Sequence, residues 1–90
     1  MSHRSSEELK QDLLEAQKQV RIHGQYRHYK GQQYLVVGLV VIESTDKVGV
    51  LYRAEYTGFE DIVFLRPLEE FLSSVETTNE GVAARFALVS

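Results

Sequence analysis

From Tyr34 to Ile42 the chain reads Tyr-Leu-Val-Val-Gly-Leu-Val-Val-Ile, an apolar run that a single glycine interrupts. Side chains that branch at Cβ lose rotamer freedom in a helix and pack well on a pleated surface, so the run is a strand. Extended to Glu43 it is apolar on both faces, which assigns it to a core. Gly38 inside it marks a bulge or sharp bend of the kind a small sheet needs to curve on itself.

The flanking segments repeat the extended period. Tyr26 to Tyr29 is a short strand and Lys30-Gly31-Gln32-Gln33 a turn, while Ser44-Thr45-Asp46-Lys47 is the next turn. Val48 to Tyr56 alternates, with Val50, Tyr52, Ala54 and Tyr56 on one face. Thr57 to Glu60 turns again, and Asp61 to Leu65 is a strand closed by Arg66-Pro67, because proline has no N–H for a ladder. Pro67 to Val75 is a short helical turn with Leu68, Phe71 and Leu72 inward. After a turn at Asn79-Glu80-Gly81, Val82 to Val89 is a last strand with Ala84, Phe86 and Leu88 on one face. Short strands, tight turns and no βαβ spacing define a mainly β domain over residues 24–90. A small SH3-like antiparallel barrel of about five strands matches its size.

Residues 1–23 form a helical extension in front of it. Ser5 and Glu8 make a capping box, and Leu9, Leu13, Ala16 and Val20 fall on one stripe of an amphipathic helix of about four turns. Arg21 and His23 suit the negative pole of its dipole, and Gly24 takes the left-handed conformation that stops it. One narrow stripe docks on something, either the chain's own barrel or a second copy of the chain.

With 90 residues the chain has room for one core, and 43% hydrophobic with 26% charged residues is a globular composition. Without cysteine it has no disulfide, thiolate or Cys-based zinc chemistry. A polar, acidic start and the lack of a long apolar run point to a cytoplasmic protein with no membrane partner. The net charge of −3 conceals an asymmetry: residues 1–45 carry six Lys or Arg against five acids, whereas residues 46–90 carry four against eight. General charge-driven nucleic-acid binding wants a basic domain and is disfavoured. A local basic patch at Arg21, Arg27 and Lys30 survives that objection.

The positions Tyr26, His28-Tyr29-Lys30-Gly31, Tyr34, Val36 and Gly38, with Tyr52-Arg53, Arg66-Pro67-Leu68 and Phe71, resemble the bacterial family known as domain of unknown function 1653. The likeness runs from about Gly24 to Phe86. It implies a compact SH3-like β domain without an established activity. The chain departs from the family pattern at Ile42-Glu43-Ser44-Thr45, where the family has His-Ser-Glu-Thr, at Phe64 for a tryptophan, at Glu70 for a methionine, and at Ala84-Arg85-Phe86 for Pro-Arg-Phe.

The candidate ligand surface comprises Tyr26, Arg27, His28, Tyr29 and Lys30 together with Tyr52 and Arg66. Tyr26 and Tyr29 offer stacking area, while Arg27, Lys30 and Arg66 suit an anionic group or a peptide carbonyl. Tyr34 and Tyr52, in the most regular strands, read first as core plugs, and Arg66 first as an internal partner of Asp61, Glu69 or Glu70. No catalytic residue is assigned: Ser44, Ser73 and Ser74 lack a glycine elbow, and His28 has no second catalytic group at an interpretable spacing. No metal or cofactor is expected, since His3, His23 and His28 are scattered and Glu60-Asp61 and Glu69-Glu70 are merely adjacent acids. The reading is a non-enzymatic module for a protein or peptide partner, with self-association through Leu9, Leu13, Ala16 and Val20. Single-stranded nucleic acid bound by the same patch is the rival, and a small-molecule enzyme using His28 is the third reading.

Overall fold

The computed structural model describes residues 4–79 and 81–90. Helix α1 (Ser6–Gln17) is followed by strands β1 (Gln25–His28), β2 (Gln33–Ile42), β3 (Lys47–Ala54) and β4 (Val63–Pro67). The single-turn helix α2 (Leu68–Phe71) comes next, and then strands β5 (Ser74–Thr77), β6 (Gly81–Ala84) and β7 (Phe86–Leu88). Five strands form one antiparallel sheet in the order β4-β3-β2-β1-β7, while β5 and β6 form a separate hairpin. The mainly β architecture with a leading helix is thus as expected. The large sheet is open, with β4 and β7 at its two edges, and the small domain is barrel-like without closing.

The capping box forms at the start of α1: Ser5 Oγ accepts from the Glu8 N–H at 3.2 Å, and Glu8 Oε1 accepts from the Ser5 N–H at 3.0 Å. These bonds hold the Glu8 carboxyl below its usual range. The helix ends at Gln17, well before Gly24. Lys18 and Gln19 donate to carbonyls three residues back, tightening the last turn, and Val20 drops out of the helix into the core. The left-handed residue is His23, with φ 67°, not Gly24. Gly24 is needed for a different reason: a Cβ there would lie 2.9 Å from the Arg21 carbonyl oxygen and 3.1 Å from Leu88 Cδ1. Ala16 and Val20, half of the stripe expected to serve self-association, are buried within this domain, while Leu9 and Leu13 are half-buried.

Gly38 does mark a bulge. The register of β2 on β3 slips between Val36 and Gly38, leaving Val37 as the extra residue. Pro67 is itself the last residue of β4, opposite Gly49. The Ala54 N–H donates to the Ile62 carbonyl, so the rungs of this antiparallel ladder fall at every second pair, at Phe64 and Arg66. Pro67 stands between rungs, where a missing N–H removes no bond.

The last third differs most from expectation. The helical turn stops at Phe71, Leu72 is 42% exposed, and Ser74 and Val75 open a hairpin. Arg85 then bends the chain, its N–H and Nε held by the Ser73 carbonyl and hydroxyl, each at 2.9 Å. The anticipated strand from Val82 to Val89 is divided between two sheets, and only Phe86 of its supposed inner face is buried.

The core lies on one face of the large sheet. Val20, Tyr26, Val36, Val50, Tyr52, Phe71 and Phe86 form it, with Phe71 stacked on Phe86 at 4.3 Å between ring centroids. Burying side chains of this size contributes about 1.5–3 kcal/mol each. The other face is not covered as the apolar run of β2 implied: the one fully buried residue of the strand is Val36, on the inner face, and Leu35, Val40 and Ile42 on the outer face are half-buried. Among the described residues the helices are α1 and α2, and Val20, just after α1, and Phe71 of α2 both join the inner face.

Candidate functional site

Strand alternation sorts the candidate residues. In β1, Tyr26 and His28 point to the inner face and Arg27 to the outer one. The turn after β1 is tight: the Gly31 N–H donates to the His28 carbonyl at 2.7 Å, and the φ of 107° at Gly31 favours glycine. The Tyr29 N–H donates to the Arg85 carbonyl at 3.0 Å, fastening this turn to the corner between β6 and β7.

The result is a cleft of about 390 Å³. It is lined by Arg27, His28, Tyr29, Lys30 and Gly31 together with Ala83, Ala84 and Ala87, the last of these beside Arg27 in the β1–β7 ladder. Among the described residues its lining includes two full cations and no carboxylate. Tyr29 and Lys30 also border an adjoining hollow of similar size, whose far wall is Glu76, Thr77, Thr78 and Asn79. Tyr29 is 38% exposed, and the Lys30 ammonium lies 5.8 Å from its ring centroid.

His28 is half-buried, edge-on to Phe86 at 5.0 Å and to Tyr34 at 6.5 Å. Burial, and then the positive charges of Arg66, Arg85 and Lys30, push its pKa below the ordinary value for histidine. The ring is therefore neutral at pH 7. Its Nδ1 accepts from the Lys30 N–H at 3.3 Å, which assigns the remaining proton to Nε2 as a donor.

Tyr26 and Tyr52 do not join this surface. Tyr26 is 6% exposed and its hydroxyl accepts from the Arg21 N–H at 2.9 Å, so its ring belongs to the core. Tyr52 is 5% exposed, and its hydroxyl accepts from Arg66 Nε at 3.2 Å. Both are aromatic rings with a polar tip that has found an internal partner. Arg66 also pairs with Glu70 at 3.4 Å and lies over the Phe86 ring at 5.8 Å. It is thus the internally paired arginine that the sequence allowed, with some of its side chain still open to solvent.

Sequence reasoning missed Arg85, Tyr34 and Tyr56 as members of this neighbourhood. The Tyr34 and Tyr56 hydroxyls lie 3.2 Å apart, and burial together with that contact raises the Tyr34 pKa well above the usual tyrosine value. Arg85 carried one usable signal, its place beside Phe86, an aromatic already assigned inward. Among the described residues no three His, Cys, Asp or Glu side chains come together as a metal site, and His3 lies outside those residues. No helix among them is long and apolar enough to cross a membrane.

The profile of the DUF1653 family, described as proteins of unknown function, matches residues 24–88. A crystal structure of a protein of that family from Bordetella bronchiseptica is similar, with a TM-score of 0.72 and 37% sequence identity, over 81% of this chain and 91% of that one. None of the curated proteins matches the chain.

Proposed function

Since the chain belongs to the DUF1653 family, whose function is unknown, we propose its role from the cleft itself: a non-enzymatic, SH3-like binding module that captures an acidic peptide segment. One observation carries this reading. Arg27 and Lys30 line a cleft with His28, Tyr29 and three alanines, and among the described residues that lining holds no carboxylate. Cations beside small side chains, with no carboxylate among the described lining residues, leave both the charge and the room for an extended anionic ligand. Lys30 and Arg27 supply attraction, Tyr29 supplies an exposed aromatic face, and neutral His28 supplies an N–H for a carbonyl or carboxylate. Arg66 and Arg85 reinforce the positive field without leaving their internal partners.

The burial of Tyr26 weighs against the nucleic-acid alternative. A stacking platform draws on successive exposed aromatics, and here Tyr29 stands without its expected companion. In this reading the protein acts in the cytoplasm.

The test is a fluorescence-anisotropy titration with a labelled oligo-glutamate peptide and, separately, a labelled single-stranded oligonucleotide, each at low and high salt. The peptide should bind the natural protein and lose affinity for Arg27→Glu/Lys30→Glu, whose melting temperature stays unchanged. Tighter, steeply salt-dependent binding of the oligonucleotide would transfer the site to nucleic acid.

A further inference from the structure

We infer that the free edge of β4 is a second binding site, which accepts an extended segment of a partner protein with basic residues at its ends as an additional strand. It lies at the opposite side of the sheet from β1 and β7 and does not depend on the cleft reading. The ladder rungs at Phe64 and Arg66 turn their amides toward β3, so the N–H and C=O groups of Val63 and Leu65 face away from the sheet. No further strand pairs with β4 among the described residues.

Sheet edges are usually guarded by lysines, bulges or a covering element. Here the alternate side chains of the edge are Val63 and Leu65, which are 51% and 50% exposed. The outer face beside them is apolar as well. Leu65 and Ile42 close over Gly49, where a Cβ would meet Leu65 Cδ1 at 2.6 Å and Ile42 Cδ1 at 3.1 Å, and Leu51 stands opposite Leu65. An added strand therefore finds both hydrogen-bonding groups and an apolar row for every second side chain.

Charge selects the occupant. Glu60 and Asp61 precede β4, and Glu69 and Glu70 follow it. In a two-fold antiparallel pairing of two copies the start of one β4 meets the end of the other, so acids would face acids. A segment with Lys or Arg at its ends replaces that repulsion with attraction. The stronger pull is at the start of the strand, because Glu69 and Glu70 already contact Lys47 and Arg66. There a cleft of about 540 Å³ is lined by Glu55, Glu60, Asp61, Ala54 and Arg53, three carboxylates to one guanidinium. It has the size and charge to hold a lysine or arginine side chain.

The experiment compares two synthetic peptides, each an alternating Val-Thr segment, one with Lys at both ends and the other with Glu. Binding is followed by anisotropy and by amide hydrogen exchange on the full chain. The Lys-ended peptide should bind, slow exchange at the Val63 and Leu65 amides, and lose about tenfold in affinity for Glu60→Lys/Asp61→Lys. Leu65→Lys, a change at an exposed position, should also weaken it, whereas Arg27→Glu/Lys30→Glu should leave it intact. Equal binding of both peptides, or protection elsewhere than at Val63 and Leu65, would overturn the proposal. So would a concentration-dependent dimer that Leu65→Lys dissolves, which would give the edge to a second copy.

Discussion

The two ends of the large sheet share one floor and present opposite chemistry. At the β1–β7 end, Arg27 and Lys30 line a cleft that has no carboxylate among the described residues, while at the β4 edge Glu55, Glu60 and Asp61 line a cleft with a single arginine. Both stand on the same aromatic layer, in which Phe86 touches His28 on one side and Tyr52, the neighbour of Phe64 in β4, on the other. The modest net charge of −3 shows neither of these two surfaces of opposite sign. A field that is separated in space steers different partners to different places, which a total charge does not reveal.

The strongest way to break the comparison is to remove the shared floor. Phe86→Ala deletes a ring that is stacked on Phe71 and 7% exposed, and should destabilise the domain by about 3–5 kcal/mol in urea unfolding. If both ends rest on that layer, acidic-peptide and basic-peptide binding fall together. Retention of either would show that its end is held independently.

Charge reversal separates the ends. Arg27→Glu/Lys30→Glu should cost the acidic peptide about tenfold or more in affinity, with stability within about 0.5 kcal/mol of the natural protein. Smaller again is the link between floor and rim. Arg66→Ala removes the donor to Tyr52 and the partner of Glu70, and should cost about 1–2 kcal/mol because the arginine is part-exposed. In a double-mutant cycle with Tyr52→Phe the two losses should be less than additive. Strict additivity would mean that the hydrogen bond contributes nothing.

The smallest effect expected is that of His28 on pH dependence. Its native pKa lies below the 6.5 of a free imidazole, so the unfolded chain takes up the proton first as the pH falls. The stability it contributes is complete above about pH 6.5 and declines on acidification until the native ring is protonated too. Denaturation of His28→Gln across that range should show a flatter profile than the natural protein. An unchanged slope would place the acid sensitivity elsewhere.

Much of the fold was readable residue by residue. The capping box at Ser5 and Glu8, the bulge at Gly38 and the alternation of Val50, Tyr52 and Ala54 are local patterns, and each forms as read. The failures occur where distant segments compete for the same residue. Val20 fits the helical stripe, yet α1 ends at Gln17 and Val20 joins the core from the turn that follows. Val82 to Val89 alternates like one strand, yet Ser73 holds Arg85 and splits it. The candidate site was legible as a segment and not as a surface: Tyr26 and Tyr29 look alike in the sequence, and only the register of β1 sends one into the core while the other stays half in solvent.

A mainly β domain behind a capped helix follows from local order along the chain, because strand period, turn residues and helix caps are interactions among neighbours. The sequence also determines that basic and acidic residues are unequally shared between its halves. Long-range packing settled which tyrosines are floor and which is rim, that the sheet stays open, and that the core forms on one face of β2. Those outcomes depend on register and on how much chain is left to cover a surface, quantities that no local window contains.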